Sequence, residues 1–488
     1  MKQACRNLLW ALVPSLCVVA CGGGGGGSGS TSPPPSGSTP QPNRPPVIAA
    51  ANGEQVAIIG FAYDYDVTKA GDVFSDPDGD TLTYEANIAP NSIDQCDLVL
   101  TSAPPGFSVQ GTRIAGMLTG PGFAKVKIEA RDAFGGVVED SFAFVVPSAI
   151  SARPTLPVTP FVYEDAKLPL PDVLRRDADG IRPWADTTPD NNEITDAAAT
   201  LGRVLFYDKR LSITNTHSCG SCHQQVHGFG SSQTFPSGCV GIPTKRSPMA
   251  LADARYNNLD MYFSDVRAGP LETLALMPIQ DRDELGTSSL ESLESELNAT
   301  GYYGPLFSAA FGSPEATRER IAKALAQFLR SMISFEAKWD RALLQVSPAP
   351  PPDPTTVLTA QEQRGWDVFI EQQCGHCHQT PGFFSPGPAN DGLDEVFTDP
   401  GAGEGAFRPA ALKNIAASGP YMHDGRFATL RQVIEHYDSG VKSSPFVHPA
   451  VDLQRNMSEE DKAALEAFLN TLTDEAFLTN PKFSDPFL

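Results

Sequence analysis

The spacing of hydrophobic residues changes once along the chain, after a Pro-rich segment at residues 149–171. Before it, short apolar runs such as Lys125–Glu129 and Ser141–Val146 alternate with turn clusters such as Phe134–Gly136. Short runs bounded by Gly, Pro and Asp are typical of strands joined by tight turns. We therefore predict an all-β sandwich at residues 47–148.

Residues beyond 171 show helical spacing instead. Between Arg318 and Asp340 the apolar side chains fall on one stripe, which predicts a helix. Asp196 is placed to cap an earlier helix, and the segments Thr359–Glu362 and Ser458–Asp461 resemble capping boxes ahead of later ones. A second Pro-rich break separates these helices into two groups, so we predict two mainly α-helical domains.

The first 46 residues differ from both patterns. Residues 1–21 have a basic start and a short apolar core that ends just before Cys21, which resembles a bacterial lipoprotein signal with Cys21 as the lipidated residue. An ordinary cleaved signal peptide is the alternative. Residues 22–46 are rich in Gly, Ser and Pro and are predicted to be a flexible tether. We therefore expect the protein in the periplasm, lipid-anchored to the outer membrane.

Length and charge refine this picture. The 488 residues suffice for about three domains of ~150 residues, which agrees with the sandwich and with helical domains at 172–347 and 355–480. The formal net charge of −22 argues against binding to nucleic acid or to anionic membrane surfaces, because both require a cationic protein surface.

Four of the nine cysteines belong to two CxxCH motifs, Cys219-Gly-Ser-Cys222-His223 and Cys374-Gly-His-Cys377-His378. In such a motif the two thiols form thioether bonds to a haem, and the adjacent His is the proximal iron ligand. A zinc site would need a second CxxC or a His pair beside each motif, and none is present. The sequence predicts two covalent c-type haems, one in each helical domain. Cys96 and Cys239 could form a disulfide or remain buried thiols.

Around both motifs the sequence resembles the superfamily of di-haem cytochrome c peroxidases and MauG. The similar segments are Leu201–Leu211, Cys219–His223, Arg246–Pro248, Asp265–Arg267, Pro420–Gly425 and Thr429–Tyr437. The resemblance implies that the N-terminal helical domain is the peroxidatic one, with hydrogen peroxide binding at the haem of His223. It also implies that the C-terminal domain, with the haem of His378, relays electrons.

The resemblance also assigns further residues to the chemistry. The family's distal acid/base glutamate falls on Glu284, which would take a proton from one peroxide oxygen and deliver it to the other. The distal ligand of the second haem falls on Tyr437, as in MauG, with Met422 as the alternative. A thioether ligand raises the haem potential and suits a peroxidase fed by a small cytochrome. A phenolate would instead favour the higher oxidation states of the iron.

Three positions depart from the family pattern. The tryptophan that usually lies between the haems falls on Ser264, beside Phe263, and the glutamine of the distal pocket falls on Leu274. The asparagine that holds calcium between the haems falls on Arg246, whose guanidinium could occupy that space instead. These departures leave the electron path and the inter-haem calcium open.

The predicted sandwich resembles bacterial cadherin-like or Ig-like modules in the segments Asp76–Asp80 and Ala130–Asp132. Asp76, Asp78 and Asp132 could supply the hard oxygen ligands that calcium prefers. Asp-Gly turns also occur for conformational reasons alone, so the calcium site is one of two explanations of this pattern.

Three functional hypotheses follow. The first is an oxidoreductase, a di-haem peroxidase that reduces hydrogen peroxide with electrons from a periplasmic donor such as a small cytochrome. The second is MauG-like oxidation of aromatic residues on a partner protein. The third is a non-catalytic electron-transfer or adhesive lipoprotein in which both haems are six-coordinate.

Overall fold

The computed structural model describes residues 42–488 except 54, 58–61, 89–103, 149, 151, 168–185, 257–261, 268, 288, 345–356, 380–386 and 453–454. The predicted signal with Cys21, most of the predicted tether, and Cys96 lie outside the described residues. From Pro45 onward the chain forms one unit. Within the described part, no helix combines the length and the apolar character needed to cross a bilayer.

The β-strands lie between residues 47 and 146. They are β1 (Val47–Ile48), β2 (Gln55–Val56), β3 (Ala62–Asp66), β4 (Phe74–Ser75), β5 (Thr83–Ile88), β6 (Ser108–Gln110), β7 (Arg113–Met117), β8 (Gly122–Arg131) and β9 (Val137–Val146). One sheet has the strand order β2-β9-β8-β5, with β2 parallel to β9 and the other pairs antiparallel. A second sheet has the order β3-β7-β6, and β1 pairs with β4.

The long hairpin of β8 and β9 forms the centre of this β-rich region. The two strands pair from Gly122 opposite Val146 to Arg131 opposite Val137. On β8, alternate residues from Ala124 to Ala130 point inward and are at most 4% exposed, as expected for a strand with one buried face. These inward side chains share a core with Ile114 of β7, so residues of both sheets build the same core.

The helices follow from residue 196 onward. They are α1 (Asp196–Tyr207), α2 (Cys219–Cys222), α3 (Leu271–Leu274), α4 (Met277–Gln280), α5 (Leu290–Ala299), α6 (Tyr303–Phe311), α7 (Arg318–Ser331), α8 (Lys338–Leu344), α9 (Ala360–Glu371), α10 (Leu430–Glu435), α11 (Glu459–Asn470) and α12 (Glu475–Thr479). The predicted order of a β-rich region followed by a helical region is confirmed.

Helix caps agree with the sequence prediction to within one residue. The side chain of Thr359 accepts a hydrogen bond from the amide of Glu362 and forms the expected capping box at α9. Ser458 caps α11 by accepting a hydrogen bond from the amide of Asp461, and only this half of the predicted capping box is observed. The cap of α1 is Thr195, whereas Asp196 is the first helical residue, so the predicted cap was wrong by one position.

The helix predicted from Arg318 to Asp340 is two helices. α7 ends at Ser331 and α8 begins at Lys338. Between them, the amides of Ser334 and Glu336 donate to the carboxylates of Asp253 and Asp474 rather than to carbonyls of a preceding helical turn. The apolar stripe continues through the break because Met332, Phe335 and Ala337 remain buried, which explains why periodicity alone missed it.

Two helix pairs are packed in the same way. A Cβ atom at Gly202 of α1 would lie 2.0 Å from the carbonyl oxygen of Ala324 in α7, and one at Gly365 of α9 would lie 2.0 Å from that of Ala464 in α11. Only glycine permits backbones to approach this closely. The first helix of each pair leads into a CxxCH motif, so each motif is positioned by the same kind of helix crossing.

Two segments pack away from their neighbours in sequence. Phe477 and Leu478 of α12 and the following Phe483 belong to the core that surrounds α1 and α7. Arg203 and Tyr207 of α1 hold this segment, since Arg203 Nε donates to the carbonyl of Ser484 at 2.6 Å and Tyr207 Oη to that of Phe483 at 2.8 Å. Conversely, α8 joins the core of α9 and α11.

Candidate active site

A cavity of about 680 Å³ brings together four of the residues predicted to form the site. Cys219, Cys222, His223 and Glu284 all line it. The departures from the family pattern line it too: Arg246, Phe263, Ser264 and Leu274. Residues near the second motif complete the wall, among them Arg408, Ala410 and Ala411.

The first CxxCH motif is held by a single helical turn. Cys219 and Cys222 are the first and last residues of α2, so their thiols lie on one side of the turn. The ring of His223 forms a hydrogen bond of 2.8 Å from Nδ1 to the carbonyl of Phe229. A ring that donates from Nδ1 leaves Nε2 as a lone-pair donor for a metal. Burial lowers the pKa of His223 and favours this neutral form.

Glu284 is a half-buried residue that lines the same cavity. Burial raises its pKa to about 7, the neighbouring charges of Asp281 and Asp283 add to this, and Arg267 opposes it. The charge of Glu284 also contributes to the raised pKa of the Cys219 and Cys222 thiols, which places it near both. A carboxyl with this pKa can both accept and donate a proton near neutral pH.

The residues of the cavity fit a covalently bound haem. Two thiols and an imidazole are the donor set that a c-type haem requires. The half-buried Arg408 lies in the cavity wall, with no carboxylate partner in the described part of the chain, and burial lowers its pKa to about 10. A haem carries two propionate groups, and a buried guanidinium is complementary to such a carboxylate.

The second motif is built differently. Cys374 begins a single 3-10 turn, and His378 Nδ1 forms a hydrogen bond of 2.9 Å to the carbonyl of Ala410. Burial lowers the pKa of His378 to about 4, so the ring is neutral and its Nε2 is again a potential ligand. Cys374, Cys377 and His378 are therefore the same donor set in a second place.

Tyr437 lies close to this second motif. Burial raises the pKa of its phenol, and Asp391, Cys377 and Cys374 raise it further while Arg455 opposes them. The tyrosine stands in a π-helical turn, His436–Gly440, that follows α10. Such turns are rare and occur often at functional sites. The turn presents Tyr437 in a register that a continuous α-helix would not give.

Met422, the alternative ligand, lies in the loop Pro420–Gly425. Its backbone has a positive φ of 73°, and it is not among the residues that line the 680 Å³ cavity. No described contact links its side chain to Cys374, Cys377 or His378. Its role as a ligand stays a prediction.

Arg246 joins the two motif regions through an ion-pair network. Its Nε and Nη2 donate to the two carboxylate oxygens of Asp399, both at 2.7 Å, and its Nη1 pairs with Asp265. Nearby, the amide of Arg408 donates to the carbonyl of Ser264 at 2.7 Å. A guanidinium thus neutralises two carboxylates at the position where the family resemblance implies a calcium ion.

The sequence prediction missed Arg408 and the buried residues Asp253 and Lys413. The signal that could have found Arg408 is an internal repeat, because Arg246-Ser-Pro248 follows the first motif and Arg408-Pro409 follows the second. Asp253 and Lys413 have no comparable local signal.

The acidic cluster of the β-rich region differs by one residue from the predicted set. Carboxylate oxygens of Asp76, Asp78 and Asp80 lie within 4.8 Å of one another. Asp132 instead accepts hydrogen bonds from the amides of Phe134 and Gly136 at 2.7 and 2.8 Å. Asp80 thus joins Asp76 and Asp78 in the cluster, and the charge of Asp132 also contributes to the raised pKa of Asp80, so calcium binding by Asp76, Asp78 and Asp132 stays a prediction.

Comparison with known proteins adds evidence that is independent of this geometry. Residues 196–347 match the family model described as di-haem cytochrome c peroxidase. The chain is 32% identical to the methylamine utilization protein MauG of Methylorubrum extorquens over 315 residues, 62% of this chain and 85% of that relative. It is 29% identical to the cytochrome c551 peroxidase of Nitrosomonas europaea over 323 residues, 63% of this chain and 87% of the relative.

A solved structure gives the same result for the fold. The crystal structure of a MauG-like protein associated with microbial copper homeostasis matches with a TM-score of 0.55 and 29% identity. The match covers 66% of this chain and 99% of that protein. The similar proteins therefore include both peroxidases and MauG proteins.

Proposed function

Because this chain belongs to the family of di-haem cytochrome c peroxidases and MauG proteins, we propose that it reduces hydrogen peroxide in the cavity beside His223. Family membership makes it an oxidoreductase of the peroxidase type with two haem c groups. One observation supports the site assignment: Cys219, Cys222, His223 and Glu284 converge on a single cavity.

A haem bound in this cavity supplies the iron that binds peroxide and exchanges electrons. Glu284 takes the proton from one peroxide oxygen and delivers it to the oxygen that leaves as water. Its pKa of about 7 suits both steps, because its carboxylate and carboxylic acid forms are both present at neutral pH. Leu274 and Leu285 line the same cavity and exclude bulk water from this proton transfer.

Other side chains would hold and orient the haem. The hydrogen bond from His223 Nδ1 to the carbonyl of Phe229 fixes the imidazole, whose Nε2 would bind the iron. The guanidinium of Arg408 would pair with a propionate. At the second motif, His378 and Tyr437 would be the iron ligands, with Met422 as the alternative to Tyr437. Each CxxCH motif belongs to its own cytochrome c-like domain, 172–347 or 355–480, which the two matching helix pairs support.

The experiment that tests this function uses the holoprotein, hydrogen peroxide and a reduced small cytochrome in a stopped-flow instrument. We expect two donor molecules oxidised per peroxide consumed. Glu284→Gln should slow the reaction by about 10²- to 10⁴-fold, the usual contribution of a general acid or base. Glu319→Gln, a glutamate paired with Lys323 on the surface of α7, should leave the rate unchanged. A Glu284→Gln protein with the wild-type rate would remove Glu284 from the mechanism.

Tyr437 favours a second candidate function. A phenolate ligand would stabilise oxidising equivalents on the second haem, and the enzyme would use them on aromatic side chains of a partner protein, as the MauG resemblance implies. In this case wild type treated with peroxide should oxidise protein-bound aromatic residues, and Tyr437→Met should not. Rapid donor oxidation with no modification of any partner would favour the first function. Family membership favours both over a non-catalytic lipoprotein.

We propose the remaining organisation from the sequence pattern. Cys21 carries a lipid that anchors the protein in the periplasm, and residues 47–148 form an Ig-like or cadherin-like sandwich that binds a partner. Replacing Cys21 with Ser should release the protein from the membrane fraction. If the Cys21→Ser protein stays in that fraction, the lipid anchor is wrong.

Calcium binding at Asp76, Asp78 and Asp80 is a separate proposal. Three carboxylates this close repel one another, and the pKa of Asp80 is raised by burial and by its acidic neighbours. Calorimetric titration of the holoprotein with calcium should show binding that Asp78→Asn weakens. An identical titration curve for the variant would show that calcium binds elsewhere.

A further inference from the structure

Asp253 is a buried carboxyl group in the wall of the cavity, and no step described so far uses it. It lies just after the segment 246–252, which forms part of the same wall, and it is 1% exposed. Its Oδ1 accepts a hydrogen bond from the amide of Ser334 at 2.8 Å. Its Oδ2 is buried and has no hydrogen-bond partner among the described residues. Such an oxygen favours the protonated acid over the carboxylate.

The charges around Asp253 do not balance. The charged groups that face it are Lys413, Asp340 and Asp474, all of them buried. Lys413 is already paired with Asp340, so one ammonium group serves three carboxyl groups. Burial raises the pKa of Asp253 to about 8, Asp340 and Asp474 add to this, and Lys413 opposes it. Asp253 is therefore the carboxyl group of this cluster that holds a proton at neutral pH.

Asn414 shows what an amide does at the matching position of the second motif region. Both residues have a left-handed backbone, with φ of 61° at Asp253 and 59° at Asn414, and each precedes a 3-10 turn. Asn414 Nδ2 donates to Ser334 Oγ at 2.9 Å, and its Oδ1 accepts from the amide of Asp474 at 2.8 Å. Both side chains thus meet at Ser334. The amide is bonded at both ends, whereas the acid keeps one oxygen free.

We propose that Asp253 binds a proton when an electron enters the cavity and releases it when the electron leaves. The inference rests on the proposed function, because it takes the haem as the group that receives the electron. Above about pH 8, where Asp253 is a carboxylate in the oxidised protein, one electron comes from the donor and one proton from water in the reducing step, and the carboxylate becomes the carboxylic acid. When the electron passes on to peroxide, the proton returns to water. The coupling keeps the charge of the buried cavity nearly constant, which limits the cost of adding an electron at low dielectric.

Infrared difference spectroscopy of the holoprotein, reduced with dithionite and reoxidised without peroxide at a pH above the Asp253 pKa of about 8, tests this. We expect a carbonyl-stretch band of a protonated carboxylic acid that appears on reduction and shifts in D₂O. Asp253→Asn should lose the band entirely, while Asp367→Asn, an exposed carboxylate on α9, should keep it. The variant should fold, since Asn414 shows that an amide fits this backbone.

A second measurement uses the pH dependence of the reduction potential. Wild type should show a potential that falls as pH rises above about 8, and Asp253→Asn should show a flatter dependence. Absence of the band in wild type, its persistence in Asp253→Asn, or an unchanged pH dependence would each overturn the proposal. None of these readouts requires peroxide turnover, so a failure of the peroxidase assay would leave them interpretable.

Discussion

A single carboxyl group, Glu284, sets the pH range of the proposed chemistry. As a base it must be deprotonated when peroxide arrives, and its pKa is about 7 because burial and two aspartates destabilise its charged form. The rate of the reaction with peroxide should therefore fall as pH drops below about 7. Stopped-flow rates measured between about pH 5 and pH 9 would check this. The decrease in rate at low pH should disappear in Glu284→Gln. A decrease that persists in this variant would have to come from another titrating group.

The identity of the residue at 437 should control the potential of one haem. Tyr437→Met should raise that potential, because a thioether favours the reduced iron more than a phenolate does. Tyr437→Phe should leave the iron without this ligand and convert a low-spin signal in electron paramagnetic resonance to a high-spin one. Tyr421→Phe, which loses only the hydrogen bond to the carbonyl of Ile415, is the matched control. If Tyr437→Phe keeps the wild-type low-spin signal, the ligand is another residue.

At the scale of single residues, the sequence predicts those functional residues that belong to a contiguous motif. The CxxCH residues stand next to one another in the chain, and Glu284 and Tyr437 could be assigned through segments that resemble a known family. Asp253 could not be assigned. Its importance comes from burial and from neighbours distant in sequence, such as Ser334 and Lys413, which no local pattern encodes.

At the scale of elements, the closest helix crossings depend on two glycines. Ala at Gly202 or Gly365 would place a Cβ 2.0 Å from a carbonyl oxygen of the opposite helix, so the helices must separate. We expect each substitution to lower the free energy of unfolding by about 1–3 kcal/mol, as for other overpacked cores. Denaturant unfolding of the holoprotein would measure this.

Gly304 in α6 provides the control for that prediction. A Cβ there would lie 3.7 Å from Pro314, which is an ordinary contact. Gly304→Ala should therefore leave stability unchanged or raise it by up to about 1 kcal/mol, because Ala has the higher helix propensity. Equal effects of Gly304→Ala and Gly365→Ala would mean that the crossing is not the constraint.

Sequence periodicity predicted these helices but not their limits. The apolar stripe that begins at Arg318 continues beyond Ser331, where the helix ends. The helix can end there because side-chain carboxylates of other segments accept hydrogen bonds from the backbone amides of the break. The π-helical turn at His436–Gly440 is equally invisible in the pattern. Both irregularities lie beside residues with a proposed role.

At the scale of the whole molecule, Arg246 links segments that surround the two motifs. Arg246→Ala should lower the free energy of unfolding by about 1–3 kcal/mol, since it leaves Asp399 as a partly buried carboxylate without its cation and Asp265 paired with Arg267 alone. Burial raises the pKa of Asp265, but hydrogen bonds to Arg246 and Arg267 outweigh this and lower it, and the pKa of Asp399 is lowered chiefly by its hydrogen bond to Arg246. The two carboxylates therefore stabilise the folded state at neutral pH. This stabilisation is lost as pH falls through their lowered pKa values in the folded protein.

The measurement compares unfolding of wild type and Arg246→Ala at about pH 7 and at about pH 3, below the ordinary pKa of Asp. The difference should shrink in acid. A double-mutant cycle with Asp399→Asn isolates the pair, and additive effects of the two substitutions would argue that no coupling exists.

The sequence says least about how the chain divides into domains. Contiguous ranges could be proposed from the Pro-rich breaks, but α8 packs with α9 and α11, and Phe477 and Phe483 pack with α1. Such exchanges depend on long-range complementarity of buried surfaces. The hydrophobic pattern shows that a segment is buried but not which core it enters.

The return of residues 477–483 to the first core affects the order in which the protein can mature. Synthesis delivers Cys219 and Cys222 long before Phe477, so during that interval the surroundings of α1 lack side chains that the finished core contains. The surroundings of the first motif are consequently complete only after residues 477–483 have joined this core.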